Sequence, residues 1–394
     1  MTPAARVQAA IDLTDAVIVV ARGQGAPADR IAADWFRARR YVGSKDRRAI
    51  RDLAWDAIRA CGDIPATGRA ALLRLAADDP ALASLFDGSR YGPAPIGPDD
   101  RPAPGGVAPA WLAAALSASG IDAAEQGALL ARAPLDIRVN LLRTTRDACA
   151  ALLPVAAEPV AGADQALRLP AGTAAEGWPA FAEGCFEIQD AGSQMACAAM
   201  AAQPGETVVD LCAGGGGKTL MLAAMMANHG RLVACDIDRA RLARLPERAA
   251  RAGANVECRL MDGGRERAGL ADLAGHVDAV LVDAPCSGSG TWRRNPEARW
   301  RLDPAAIARF ARTQAHVLAM AAWLVRPGGR ITFITCSLLD AEGADAIAGF
   351  LAGHPGWRAV PVDAALGRAR GSGWRFTPGH DGTDGFFVAN LARA

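Results

Sequence analysis

Residues 207 to 219 read TVVDLCAGGGGKT, and this stretch decides the fold of the chain. Thr207-Val208-Val209 and Leu211-Cys212 surround Asp210 in a short apolar run rich in β-branched residues, the pattern of a parallel strand buried on both faces. Four glycines, Gly214, Gly215, Gly216 and Gly217, follow before Lys218 opens a run of helix formers, LMLAAMMA. Without Cβ atoms the backbone there turns tightly and approaches a ligand closely, while the next helix offers free N–H groups at its start. The spacing excludes two common nucleotide loops. A Walker A loop needs glycine five residues before Gly217, where Cys212 stands, and GxGxxG fails because Thr219 holds its last position. The next apolar run, RLVACD from Arg231 to Asp236, ends in a carboxylate 20 positions after Gly216, the offset of a ribose-binding residue. A strand-end turn is the alternative reading of Asp236.

Downstream, strands at 206–212, 231–236, 256–261, 277–283, 330–336 and 386–391 alternate with helices, which predicts an α/β, Rossmann-like, doubly wound parallel sheet. Ligands of such sheets bind beyond the carboxyl ends of the strands. Those ends are loaded here: Asp210 to Gly217, Asp236, Asp262, Asp283-Ala284-Pro285-Cys286 and Thr335-Cys336-Ser337. With the strand order 3-2-1-4-5, the strands ending at Asp283 and Thr335 are neighbours, so Cys286 and Cys336 face one crevice. A single buried cysteine is ordinarily packing, and a disulfide is disfavoured in a reducing compartment. Two thiols at equivalent strand ends instead suit methylation at C5 of a pyrimidine, a carbon too weakly nucleophilic to attack a methyl sulfonium directly. Thiolate addition at C6 makes C5 enamine-like. Such covalent catalysis needs a reactive thiolate and a group near N3 that handles charge developing on the ring, a task for Asp283. Lys218 either lowers the thiol pKa or orients Asp283.

Composition narrows the class. The 394 residues allow two or three domains, and the net charge of +1 neither demands nor excludes an acidic partner. No run of about eighteen uncharged apolar residues appears and MTPAARVQAAID lacks a signal-peptide pattern, so a cytoplasmic protein without membrane attachment is expected. Nine cysteines without CxxC pairs and only five histidines argue for reduced thiols and no metal. Of 43 basic residues only Lys45 and Lys218 are lysine. Where generic positive charge is supplied by arginine, Lys218 is retained for its compact ammonium.

Upstream, residues 1–90 predict an all-helical domain, with apolar positions such as Val7, Ile11, Val17, Ile50 and Ile58 at helical spacing. Its segment 30–59 carries nine Arg or Lys against four Asp, and Trp35, Phe36 and Tyr41 lie near Arg39, Arg40, Arg47 and Arg48. Stacking and charge of this kind suit RNA, and a core of aromatics beneath solvated arginines fits equally. A Pro/Gly-rich stretch, GSRYGPAPIGPDDRPAPGG, predicts an extended linker over 91–108. Residues 109–190 predict a small α+β subdomain in which Asp136, Arg138 and Asn140, on one face of the strand LDIRVNLL, contact RNA. Residues 191–394 form the catalytic domain.

From residue 134 onward the chain resembles the RsmB/NOL1/NOP2/Sun family of S-adenosylmethionine-dependent RNA cytosine-5 methyltransferases. The motifs are PLDIRVN (134–140), GCFEIQDAGSQ (184–194), DLCAGGGGKT (210–219), ACDID (234–238), VDAPCSGSGTWRRNPEARW (282–300), TCS (335–337) and TDGFFVA (383–389). The resemblance implies Cys336 as the nucleophile at C6 and Cys286 as the thiol that assists product release. It also implies S-adenosyl-L-methionine as cofactor, with Ala213, Gly214, Gly215, Gly216, Gly217 and Lys218 around its methionine moiety, Asp236 at the ribose, Asp262 near the adenine, and Asp283 between cofactor and base. The family's loop usually has Ala-Pro where this chain has Gly214-Gly215; losing proline loosens the unliganded loop. The first 90 residues are similar to the NusB-like domain of the bacterial 16S rRNA members, chiefly at GSKDRRAIRDLAWDAIR. The expected partner is therefore RNA, 16S rRNA ahead of tRNA, bound by a monomer. Two other readings stay open. An amino-group methyltransferase places [DN]PP[YF] where this chain has Asp283-Ala-Pro-Cys286, and an RNA-binding assembly scaffold would keep the shell without activity.

Overall fold

In the computed structural model, which describes residues 1–23, 25–362 and 367–394, the glycine-rich stretch is the turn between a strand, Thr207–Asp210, and a helix, Gly217–Met225. The chain divides into two units, one of residues 1–132 with 291–303 and the other of 133–290 with 304–394. The second unit carries two sheets. The smaller is antiparallel, with β1 (Leu135–Val139), β2 (Glu158–Val160), β3 (Ala163–Leu169) and β4 (Phe186–Ile188) in the order β2-β3-β1-β4. The larger contains β5 (Thr207–Asp210), β6 (Arg231–Asp236), β7 (Glu257–Leu260), β8 (Val277–Asp283) and β9 (Val325–Thr335). It is completed by β10 (Trp357–Val360), β11 (Arg368–Arg370), β12 (Gly373–Phe376) and β13 (Phe386–Arg393).

Strands β7-β6-β5-β8-β9 run parallel in that spatial order, the expected 3-2-1-4-5. Alternate residues of each central strand feed opposite cores: Val209, Val280, Val282 and Phe333 on one face, Val208, Leu281 and Ile334 on the other. Burial on both faces is why these segments read as continuous apolar runs. The sheet departs from the expected parallel form at one edge, where β13 pairs antiparallel with β9 and with β12. An apolar run such as FFVANL shows that a strand is buried but not which way it points, because direction is set by the connection that delivers it.

The first unit holds helices Pro3–Arg22, Ala28–Arg37, Ser44–Ala60 and Gly68–Ala76 around Leu13, Val17, Ile50, Ile58 and Leu72. It runs further than residue 90. Helices Ala110–Ala118 and Ala123–Ala128 belong to it, so the α+β subdomain begins at 133 rather than 109. The stretch read as a linker is fastened along the helices: the Ala103 N–H donates to Ala70 O at 2.9 Å, and Arg69 pairs with Asp100 at 2.7 Å. Proline and glycine exclude regular structure there without freeing the chain. Trp35 and Phe36 are core residues, with Arg39 stacked 3.9 Å over the Trp35 ring, whereas Tyr41 is 77% exposed. Segment 291–303, expected in the catalytic domain, also packs here. The buried Arg299 guanidinium donates to Ile58 O and Cys61 O, both at 2.7 Å, satisfying carbonyls at the end of helix Ser44–Ala60. Among the described residues no helix is long and apolar enough to cross a membrane.

Candidate active site

Strands β8 and β9 are parallel neighbours with Asp283 in register with Ile334, so the turns that follow them emerge side by side. They place Cys286 Sγ 3.4 Å from Cys336 Sγ. The two turns are locked at the backbone: the Gly290 N–H donates to Cys336 O at 2.9 Å, and the Gly385 N–H donates to Gly290 O at 2.8 Å. A Cβ on Gly290 would stand 2.1 Å from Gly385 O, so this crossing of TDGFF with the Cys286 turn requires glycine. Both thiols line a cavity of about 890 Å³, along with Asp236, Ile237, Asp238, Met261, Asp283 and Phe310. The hydrogen bond to Cys336 and burial together push the Cys286 thiol well above its ordinary pKa.

Asp283 joins this centre to the glycine turn. Its Oδ2 accepts from Lys218 Nζ at 2.7 Å. Burial pulls the Lys218 ammonium down, but the Asp283 charge and hydrogen bond outweigh it and leave the pKa raised. Of the two roles open to Lys218, orienting Asp283 is the one this contact supports.

The glycine turn is built from left-handed backbone, with φ of 55° at Gly214 and 85° at Gly216. A Cβ on Gly216 would meet Leu245 Cδ1 at 2.1 Å. Asp236 Oδ2 accepts the Gly214 N–H at 2.7 Å, and its Oδ1 accepts the Asp238 N–H at 2.7 Å. Two carbonyls of the turn are held from outside, Gly215 O by Arg248 and Gly217 O by Arg138. Arg248 and Arg251 both pair with Glu187 of β4. Arg138 of β1 also donates to Gln189, and burial lowers its pKa to about 10.

These contacts correct the expectation that the polar face of β1 meets RNA. Asp136 pairs with Arg168 at 2.7 Å and Asn140, just past β1, donates to Gly184 O and Ala252 O at 2.8 Å each, and Asp136, Arg138 and Asn140 are all buried. Alternation correctly marks a polar face, whose partner is protein.

Not every candidate reaches the cavity. Cys212 and Leu211 line it from the glycine turn, whereas Ala213 to Lys218 do not; Met261 lines it at the end of β7, and Asp262 beyond it is exposed. Two buried carboxylates had no role in the sequence reading. Asp210 accepts from Thr219 Oγ1 at 2.6 Å through Oδ2, leaves Oδ1 without a partner among the described residues, and is pushed by burial to about 7. Glu342 contacts residues on both thiol turns. Asp210 sits inside the quoted motif, but Glu342 is linked to its partners only by folding. Among the described residues no group of three or more His, Cys, Asp or Glu is arranged to hold a metal.

The family described as 16S rRNA methyltransferase RsmB/F matches residues 197–392. A protein named probable ribosomal RNA small subunit methyltransferase B from Synechocystis sp. is 38% identical over 269 residues, 66% of this chain and 60% of that protein. A ribosomal RNA small subunit methyltransferase B from Serratia proteamaculans is 35% identical over 263 residues, with the same two coverages. The alignments thus take in 60% of the length of these relatives. A solved structure described as a methyltransferase homolog protein from Pyrococcus horikoshii superposes with a TM-score of 0.61 at 26% identity, over 69% of this chain and 90% of that one. The sheet is that of a Rossmann-like methyltransferase, and through residues 197–392 the chain belongs to the RsmB/F methyltransferase family.

Proposed function

We propose that this chain is an S-adenosylmethionine-dependent RNA cytosine-5 methyltransferase, acting on small-subunit ribosomal RNA through a covalent bond between Cys336 and C6 of cytosine. The observation that carries this reading is the 3.4 Å approach of two thiols at the ends of neighbouring strands, beside the Lys218–Asp283 pair. The cavity suits the cofactor: Asp236 and Asp238 offer carboxylates to a ribose diol, and Ile237, Met261, Val317 and Met320 form an apolar wall for a purine. When bound there, S-adenosylmethionine supplies an electrophilic methyl group.

The remaining work belongs to the protein. The Cys336 thiol gives its proton to Asp283 and Sγ bonds to C6, which pushes ring electrons toward C5 and N3. Asp283, oriented by Lys218, faces the N3 side and delivers that proton to N3, where the negative charge of the ring would otherwise collect. After C5 has been methylated, water takes its hydrogen as a proton, the Sγ–C6 electrons return to Cys336, which regains the proton from N3, and Cys286, the thiol within reach, assists this release. Ribosomal RNA is favoured over tRNA by the names of the relatives. The exposed Arg40, Tyr41, Lys45 and Arg48 give the helical unit a basic surface for the same substrate. An amino-group methyltransferase has no use for two adjoining thiols.

Labelled S-adenosylmethionine and ribosomal RNA from cells lacking the gene, followed by bisulfite sequencing, test this reading. New 5-methylcytosine in small-subunit RNA is the expected result. Label on an amino group would overturn the chemistry, and label confined to tRNA would overturn the substrate.

A further inference from the structure

Each thiol is followed by a serine, Cys286 by Ser287 and Cys336 by Ser337, and both hydroxyls donate to one oxygen, Oε2 of Glu342. The Ser337 bond is 2.6 Å. The other oxygen, Oε1, accepts the Ser287 N–H at 2.8 Å and the Gln314 amide at 3.4 Å. Gln314 in turn donates to Pro285 O at 3.0 Å, and the Glu342 carbonyl accepts from Thr335 Oγ1 at 3.1 Å. Glu342 is 0% exposed, and burial raises its pKa. A carboxylate withdrawn from water is costly unless donors replace the solvent, and four donors converge on this one. Nothing in the reaction described above consumes it.

We propose that Glu342 is a positioning residue of the two-thiol centre, fixing the separation of Cys286 and Cys336 by gripping the serine behind each. The proposed function supplies only the purpose of that separation. Charge is the second effect. The Cys336 hydrogen bond and burial are the larger causes that raise the Cys286 pKa, and the Glu342 anion adds to them. The other ionisable groups around Cys286 are Cys336 and the Lys218–Asp283 pair, with Cys212, Asp236, Asp238, Arg241, Glu266, Arg309, Arg312 and His316 elsewhere on the cavity wall. Glu342→Gln alters none of these, so its effect reports the carboxylate.

The test uses the full chain without RNA or cofactor. Iodoacetamide alkylation of Cys286 and Cys336 is followed by mass spectrometry across a pH series, and a short bifunctional thiol reagent measures how readily the two sulfurs are bridged. In Glu342→Gln the pH of half-alkylation at Cys286 should fall by about one unit, since an adjacent like charge has been removed. Ser337→Ala keeps the carboxylate but removes its hold on one turn, together with the Ser337 Oγ contacts to Ser287, Ser289 and the Leu339 N–H, so bridging should drop about threefold while the Cys286 alkylation pH does not fall. Unchanged alkylation in Glu342→Gln together with unchanged bridging in Ser337→Ala would overturn the proposal. Because neither assay reads methyl transfer, a chain that behaves as expected here yet modifies no RNA contradicts the proposed function alone.

Discussion

The turn after β5 and the turns after β8 and β9 all end parallel strands of one sheet, yet they are held in opposite ways. The glycine turn has no side chains to anchor, so its carbonyls are gripped from outside by Arg248 and Arg138, backed by Glu187 and Gln189. The thiol turns carry serines, and a single carboxylate, Glu342, draws both inward. A turn built of glycine gains close approach and loses the restriction a proline would give. Order is then imposed by arginines on the smaller sheet and on helix Leu245–Ala252, whereas the thiol turns carry their own anchors.

Lys218 is where the two arrangements meet, since it stands in the first turn of helix Gly217–Met225 and reaches Asp283 at 2.7 Å. Breaking that link gives the largest effect. Lys218→Arg keeps the charge but replaces a compact ammonium, in a buried site, with a planar fork, and should lower kcat about 100-fold while cofactor KM changes less than about threefold. Near-normal turnover would remove the connection between the regions. A smaller effect sharpens the contrast itself. Arg248→Met frees the Gly215 carbonyl without touching the thiols, so cofactor KM should rise about tenfold with kcat nearly unchanged. Steady-state kinetics with varied cofactor separates the outcomes; a loss confined to kcat would show that the glycine turn is not held in the manner described.

How much of this was legible in the sequence depended on the range of the interaction. Strands β5 to β9 announce themselves because both faces of Val208-Val209 and of the run from Ala279 to Val282 are buried, and their order brings Cys286 and Cys336 together. The direction of β13 and the strands β10 to β12 were not legible, because edge pairing is chosen after the sheet has formed. Arg138 shows the ambiguity of a polar residue on an alternating strand, which looks the same whether it meets RNA or a Gly217 carbonyl. The polar segment around Arg299 lies within a family motif that reads as one piece with Asp283, and only tertiary structure shows it belonging to the helical unit and capping helix Ser44–Ala60. Glu342 is the clearest omission: Ser287 precedes it by 55 residues and Gln314 by 28, so no local spacing reveals the carboxylate they share.

The most direct measurement is the fate of RNA covalently held by each cysteine variant, followed by denaturing electrophoresis and mass spectrometry with cofactor present. Cys336→Ala should form no adduct and transfer no methyl group, whereas Cys286→Ala should accumulate RNA bonded through Cys336. An adduct that survives in Cys336→Ala, or the two phenotypes exchanged, would contradict the assignment of Cys336 as the attacking thiol.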